Sequence, residues 1–258
     1  CGIGIVDLII SLLPLIIFSV ILGVLLILFT NFCIKVFIAF GHIIRWIAMI
    51  GFACAIFTFL TKIEICKYLD RKVNVQYNYQ NEVIVTVGGS EGIDIALRAM
   101  LDPGDEVLIP QPSYVSYLPC TILADGVPVT IPLQEKNEFK LTAEELEAAI
   151  TPKTKVLIMP FPNNPTGSVY TLENLKALVE VLKQHPQIVV LADEIYQHIL
   201  YTGKHETLAQ FHELEDRLII INGVSKAYAM TGYRIGWMAT HDKDLITAVK
   251  RLQGQTIS

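Results

Sequence analysis

Charge is almost absent from the first 60 residues of this 258-residue chain, where Asp7, Lys35 and Arg45 are the only formally charged side chains. A segment of this kind does not make the surface of a soluble fold, which needs polar side chains to meet water. The other 198 residues carry 18 of the 20 Lys and Arg and 24 of the 25 Asp and Glu, the balance of a soluble domain with a mildly acidic surface. The chain therefore reads as two parts suited to different solvents, and the 52% apolar composition averages over both. No basic face marks the second part, so no nucleic-acid partner is expected.

Residues 8–30 form an apolar run interrupted only by Ser11, Pro14, Ser19, Gly23 and Thr30. About 20 such residues in a helix cross the hydrocarbon core. A second transmembrane helix is expected over residues 43–60, which lets Arg45 reach the interface and leaves His42 outside. Lys62, Lys67, Arg71 and Lys72 follow, so the positive-inside tendency puts everything after residue 61 in the cytoplasm. A cleaved signal is disfavoured because no basic residue precedes the run; a buried pair of core helices is the other structural reading. The segment resembles polytopic bacterial permeases such as those for ethanolamine. Both ends of the sequence read as cut from something longer, since it begins at Cys1 and stops at Gln255-Thr256-Ile257-Ser258. A lipoprotein beginning at Cys1 is disfavoured because no polar tether follows.

The five cysteines, Cys1, Cys33, Cys54, Cys66 and Cys120, are odd in number and scattered, which argues for a reducing compartment rather than a disulfide framework. His198, His205 and His212 recur every seven residues without a Cys or carboxylate to complete a metal site, and are expected on the surface. No metal is expected.

After residue 61 the pattern becomes short β-branched runs alternating with amphipathic helices, the mark of an α/β domain with a mostly parallel central sheet flanked by helices. Strands are expected over 82–87, 106–109, 155–159, 188–191, 218–221 and 235–239, and helices over 90–101, 142–150, 171–184 and 241–252. Thr142 followed by Glu145 is a capping-box pair.

Five motifs punctuate this second part. Val87-Gly88-Gly89-Ser90-Glu91-Gly92 follows a strand and opens a helix, where backbone amides can face an anion. Pro110-Gln111-Pro112-Ser113-Tyr114-Val115-Ser116-Tyr117 supplies aromatic rings. Pro160-Phe161-Pro162-Asn163-Asn164-Pro165-Thr166-Gly167 is a turn presenting amides at a strand end. Ala192-Asp193-Glu194-Ile195-Tyr196 ends a strand on a carboxylate. Asn222-Gly223-Val224-Ser225-Lys226 leads, eight residues after Lys226, to Arg234 in a glycine-punctuated turn.

In this order the motifs resemble the fold-type-I pyridoxal-phosphate enzymes, and among them the class I aminotransferases, over residues 64–258. The resemblance implies the large, cofactor-binding domain of that fold, joined to an unrelated membrane segment in residues 1–61. It implies that Lys226 forms a Schiff base with pyridoxal 5'-phosphate and then shuttles the substrate proton, and that Asp193 pairs with the pyridine nitrogen. Tyr196 and Asn164 would face the phenolate oxygen, and Tyr114 the ring. Gly89, Ser90, the Glu91 amide, Ser225 and Arg234 would hold the phosphate. Glu194 is expected to be structural. Where many family members have a serine, Gly223 stands, so one phosphate contact is missing.

The implied reaction moves an amino group from an amino acid to a 2-oxo acid, in a homodimer. β-Elimination or decarboxylation on the same fold is a second reading; a non-catalytic membrane fusion or remnant, natural or an artificial join, is a third. Were the join artificial, the cofactor domain would be cytoplasmic with no anchor. The family binds the substrate carboxylate through an arginine of a small C-terminal domain, expected to be absent here, and uses an N-terminal arm where this chain has its apolar segment. Weak or no transamination by these 258 residues is therefore expected.

Overall fold

A computed structural model describes the backbone of residues 5–256 and the side-chain environments of residues 17–256. The lipoprotein reading at Cys1 and the side chains of residues 8–16 lie outside the described residues. The chain divides into two compact units, Cys1–Phe57 and Thr58–Ser258.

One continuous helix, α1 (Ile5–Val73), occupies the first unit and opens the second. Two transmembrane helices were expected, over residues 8–30 and 43–60; a single helix runs through both spans. Residues 31–42 contain no proline, and Gly41 alone costs a helix only about 1 kcal/mol, so nothing local stops the backbone ladder. In the first unit every large apolar side chain described, from Ile17 to Phe57, is exposed. Beyond residue 60 the helix becomes two-faced, and Ile65 and Leu69 are buried.

The second unit is built on a seven-stranded sheet in the order β1-β7-β6-β5-β4-β2-β3. These are β1 (Val83–Val87), β2 (Glu106–Gln111), β3 (Val127–Pro132), β4 (Thr154–Pro160), β5 (Val189–Asp193), β6 (Leu218–Gly223) and β7 (Ile235–Ala239). Strands β3, β2, β4, β5 and β6 are parallel neighbours, whereas β7 runs antiparallel to β6 and β1. Only residues 224–234 join β6 to β7, too few for the helical crossover that a parallel neighbour requires.

Helices cover both faces. α2 (Gly89–Met100), α3 (Tyr117–Leu123) and α6 (Lys243–Thr256) pack on one, and α4 (Ala143–Ala149) and α5 (Leu172–Gln184) on the other, each face with its own apolar core. The logic is plainest in α5. Leu175, Leu178, Val179 and Leu182 are spaced to fall on one buried face, each worth roughly 1.5–3 kcal/mol. Thr171 and Asn174 form a reciprocal cap at its start, and Pro186 follows its end. The expected Thr142–Glu145 capping box opens α4.

Strand β3 and helix α3 were not expected. Pro128 and Pro132 disguise β3, which tolerates them because it is an edge strand paired only with β2. Pro119 disguises α3 but sits in its first turn, where no backbone donor is needed. His198 and His212 are exposed as expected. His205 is not on the surface: its side chain is 10% exposed, stacks on Phe161 at 5.5 Å and lies 3.0 Å from the Glu194 carboxylate. A seven-residue spacing could not reveal this, because Phe161 and Glu194 come from the ends of β4 and β5.

Candidate active site

Strands β2, β4, β5 and β6 end at Gln111, Pro160, Asp193 and Gly223, so their carboxyl ends share one edge of the sheet. Crevices at such an edge are where parallel α/β sheets bind ligands. A cavity of about 260 Å³ opens there. Its walls contain Gly89, Ser90, Tyr114, Asn164, Asp193, Tyr196, Ser225, Lys226 and Arg234, together with Ile93, Tyr117, Pro160, Pro162, Ile195 and Thr231. All the residues singled out from the motifs meet here except Glu91. The Glu91 side chain turns back from the helix start, and its carboxylate accepts a hydrogen bond from the Val87 amide.

The floor is a buried carboxylate. Asp193 is 7% exposed, Tyr117 donates its hydroxyl hydrogen to Oδ2 at 2.7 Å, and the Ile195 amide donates to Oδ1 at 3.2 Å. Burial pushes the Asp193 pKa above the ordinary carboxylate range, against these two donors. Glu194, next along the chain, is buried on the other side of the strand end, where Thr207 donates to it at 2.6 Å. It is not among the residues lining the cavity, and His205 lies 3.0 Å from its other oxygen.

The opposite end of the cavity suits an anion. Gly88 and Gly89 lead into α2, whose first amides point outward from the helix start. The Arg234 guanidinium donates to the Val87 carbonyl at 3.2 Å and lies across this loop. Gly88 has φ +80, which favours glycine, and a Cβ there would come 2.5 Å from Arg234 Nη2 and displace the guanidinium. Arg234 itself is a non-glycine residue in the left-handed region, at φ 51. Such strained positions cluster at ligand sites.

One side wall is Tyr114, whose pKa is lowered by hydrogen bonds from Ser116 and Ser90. Another is the β4 turn. There the Asn163 amide donates to the Pro112 carbonyl at 2.9 Å and to Thr166 at 3.0 Å, leaving Asn164 to line the cavity. Lys226 sits in the turn after β6, with Nζ 5.5 Å from the centroid of the Tyr196 ring. That turn is tied by Val224 to the Ile235 carbonyl at 3.1 Å and by Thr231 to the Ser225 carbonyl at 3.0 Å. A side chain at Gly223 would meet the Ile235 carbonyl at 2.7 Å, so no serine fits there without moving β7.

Sequence reasoning quoted Tyr117 and Gly88 but gave neither a role. Their functions depend on Asp193 and Arg234, distant in sequence, and only the pairing of two tyrosines three apart in one motif hinted at the first. Among the described residues no cluster of His, Cys, Asp and Glu could hold a metal ion. Together the walls offer a primary amine, an aromatic face, a buried carboxylate and an anion cradle.

Comparison with known proteins places the two parts of the chain in different families. Residues 60–258 match the family described as aminotransferase class I and II, and residues 1–96 match that described as ethanolamine utilisation protein, EutH. The two matches overlap over residues 60–96. The putative aminotransferase YugH of Bacillus subtilis is 44% identical over 176 residues, 68% of this chain and 45% of the relative. The aspartate/prephenate aminotransferase of Cereibacter sphaeroides is 45% identical over 199 residues, 76% of this chain and 49% of the relative. The crystal structure of the aspartate aminotransferase from Rhizobium meliloti superposes with a TM-score of 0.74 at 41% identity, covering 76% of this chain and 49% of that one. The chain spans about half the length of the curated relatives it matches. The family match runs over residues 60–258, well over half of the chain, and on that ground the chain belongs to the class I and II aminotransferase family.

Proposed function

We propose that the second unit is the cofactor-binding part of a pyridoxal-phosphate-dependent aminotransferase, moving an amino group from an amino acid to a 2-oxo acid. The observation that carries this reading is the convergence of five separated motifs on one cavity, with Lys226 and the buried Asp193 both in its walls. The residues fit the cofactor by charge and shape. Arg234, Ser90, Ser225 and the amides after Gly88 would hold its phosphate, Tyr114 would lie against its ring, and Asn164 and Tyr196 would face its phenolate oxygen. The bound cofactor supplies an aldehyde carbon that amines can attack and a ring that accepts electron density.

The chain's own residues do the rest. Asp193 would meet the ring nitrogen, since a buried carboxylate whose charge is disfavoured by desolvation gains most from a cationic partner. Lys226 would be the amine that holds the cofactor, and its Nζ would move the proton at the substrate α-carbon. Tyr114, Ile93 and Ile195 limit water around the ring. Arg234 is the one guanidinium lining the cavity among the described residues, and it is committed to the anion cradle. The substrate carboxylate thus has no second arginine here, and these residues alone should transaminate weakly.

Val115 and Tyr233, 80% and 73% exposed, leave apolar surface on two loops of the site, which supports a homodimer. The first unit supports a membrane anchor: the described part of α1 is long and apolar enough to cross a membrane by length and composition. We place the cofactor unit on the cytoplasmic side because Lys62, Lys67, Arg71 and Lys72 follow the apolar stretch.

The direct test is the absorption spectrum of the detergent-purified chain with pyridoxal phosphate, beside Lys226→Ala. A dialysis-resistant visible band in the parent and none in the variant is expected. A band in neither, or equally in both, would sink the reading. Stoichiometric pyridoxamine phosphate after amino-acid addition would identify transamination over elimination or decarboxylation.

A further inference from the structure

We propose that Tyr117 is the positioning residue for Asp193, its hydroxyl holding the floor carboxylate charged and aimed at the cofactor's ring nitrogen. The inference rests on the cofactor reading above and on a hydrogen bond that spans 76 residues of sequence. Tyr117 is 2% exposed, and a tyrosine buried that deeply must place its hydroxyl on some partner. A backbone carbonyl would serve a purely structural ring. This hydroxyl is committed instead to Oδ2 of the one buried carboxylate in the cavity wall, at 2.7 Å.

The consequence is electrostatic and geometric. The charged groups facing Asp193 are Lys226, which favours its charge, and Glu194, which opposes it; burial outweighs both in pushing its pKa up. Hydrogen bonds from Tyr117 and then the Ile195 amide favour the ionised form more than Lys226 does. The Tyr117 hydroxyl is itself driven well above its ordinary pKa by burial and by Asp193, so it stays a donor wherever the enzyme works. Tyr117 also opens α3, its amide donates to the Tyr114 carbonyl at 3.2 Å, and its ring meets Tyr114 edge-on at 5.6 Å. The same residue therefore ties the carboxylate under the ring to the aromatic wall beside it. A bond between a hydroxyl and a buried carboxylate is stronger than a neutral one, and losing it should cost roughly tenfold in affinity for a cationic ring.

The test uses the full chain in detergent with Tyr117→Phe, which keeps the ring. Carbon-13 NMR of carboxyl-labelled aspartates without cofactor, assigned with Asp193→Asn, should show Asp193 titrating at higher pH in the variant. The dissociation constant for pyridoxal phosphate should rise about tenfold in the parent background and not further in Asp193→Asn. An unchanged Asp193 titration would overturn the proposal, as would an equal affinity loss with and without the carboxylate, which is the signature of ring packing alone. Should Tyr117→Phe not fold, fluorotyrosine incorporated at position 117, a stronger donor, must move the Asp193 titration to lower pH. Failure of the parent to bind cofactor would sink the functional reading, while the cofactor-free titration still decides the role of Tyr117.

Discussion

Helices α1 and α5 are both rich in leucine and isoleucine, yet they solve different problems. In the described part of the first unit, Leu22, Leu25, Leu26, Ile27 and Leu28 are all at least half exposed, with no side of the helix favoured. In α5 Leu175, Leu178, Val179 and Leu182 fall on one side and are at most 2% exposed. The same side chains thus contribute to folding in one region and to solvent choice in the other. What separates the two is the spacing of polar residues: Glu173, Lys176, Glu180 and Lys183 give α5 a wet face, and the run 17–60 has no equivalent. A helix without a wet face needs a partner or a lipid phase.

The largest effect should come from removing residues 1–57. The remaining polypeptide is expected in the supernatant without detergent, where the full chain requires it; ultracentrifugation decides, and a detergent-dependent remainder would erase the contrast between the units. Next in size, Leu178→Ala should lower the unfolding free energy of the cofactor unit by about 2–5 kcal/mol in a denaturant titration. Leu26→Ala should leave that same transition unmoved, because its side chain is 65% exposed. Equal effects from both would mean that the two units unfold as one.

The smallest effect sharpens the comparison at a single charge. Arg45 is exposed, whereas Asp193 is buried with its pKa raised by desolvation. A raised folded-state value means that the folded chain holds the proton more tightly than the unfolded one. The stability this contributes is complete below the ordinary carboxylate pKa and is lost as pH rises through the raised one. Cofactor-free Asp193→Asn should therefore melt above the parent at neutral pH, by about 2–4 °C for each kcal/mol relieved, with the gap closing as pH falls. Arg45→Gln should show no such pH-dependent gap. A parent that melts above Asp193→Asn at neutral pH would mean that the donors around the carboxylate outweigh its burial.

Much of the site was legible because its chemistry demands particular residue types at strand ends. Lys226, Asp193, Asn164 and Arg234 stand in motifs whose turns, glycines and prolines already place them at the carboxyl edge of a sheet. The pairing of Gly88 with Arg234 was not legible, since a guanidinium 146 positions away leaves no trace in a Gly-Gly dipeptide. Nor was the burial of His205 against Phe161, or the turning of Glu91 back to the Val87 amide. Among the elements, β3 and α3 were hidden by prolines that edge strands and first turns tolerate. The expected break between two apolar helices had no local residue to enforce it.

Sequence alone determined the division into a part almost without charge and a part with it, the alternation of strand and helix in the second, and the choice of the groups proposed to hold a phosphorylated aromatic cofactor. Those properties are carried by composition, by periodicity and by side-chain chemistry, all of which are local. Only the tertiary structure decided the reversal of β7, the closing of the loop under Arg234 and the bond from Tyr117 to Asp193. Each depends on which atoms the sheet brings within hydrogen-bonding reach, and that proximity is set by the packing of both cores rather than by any one segment.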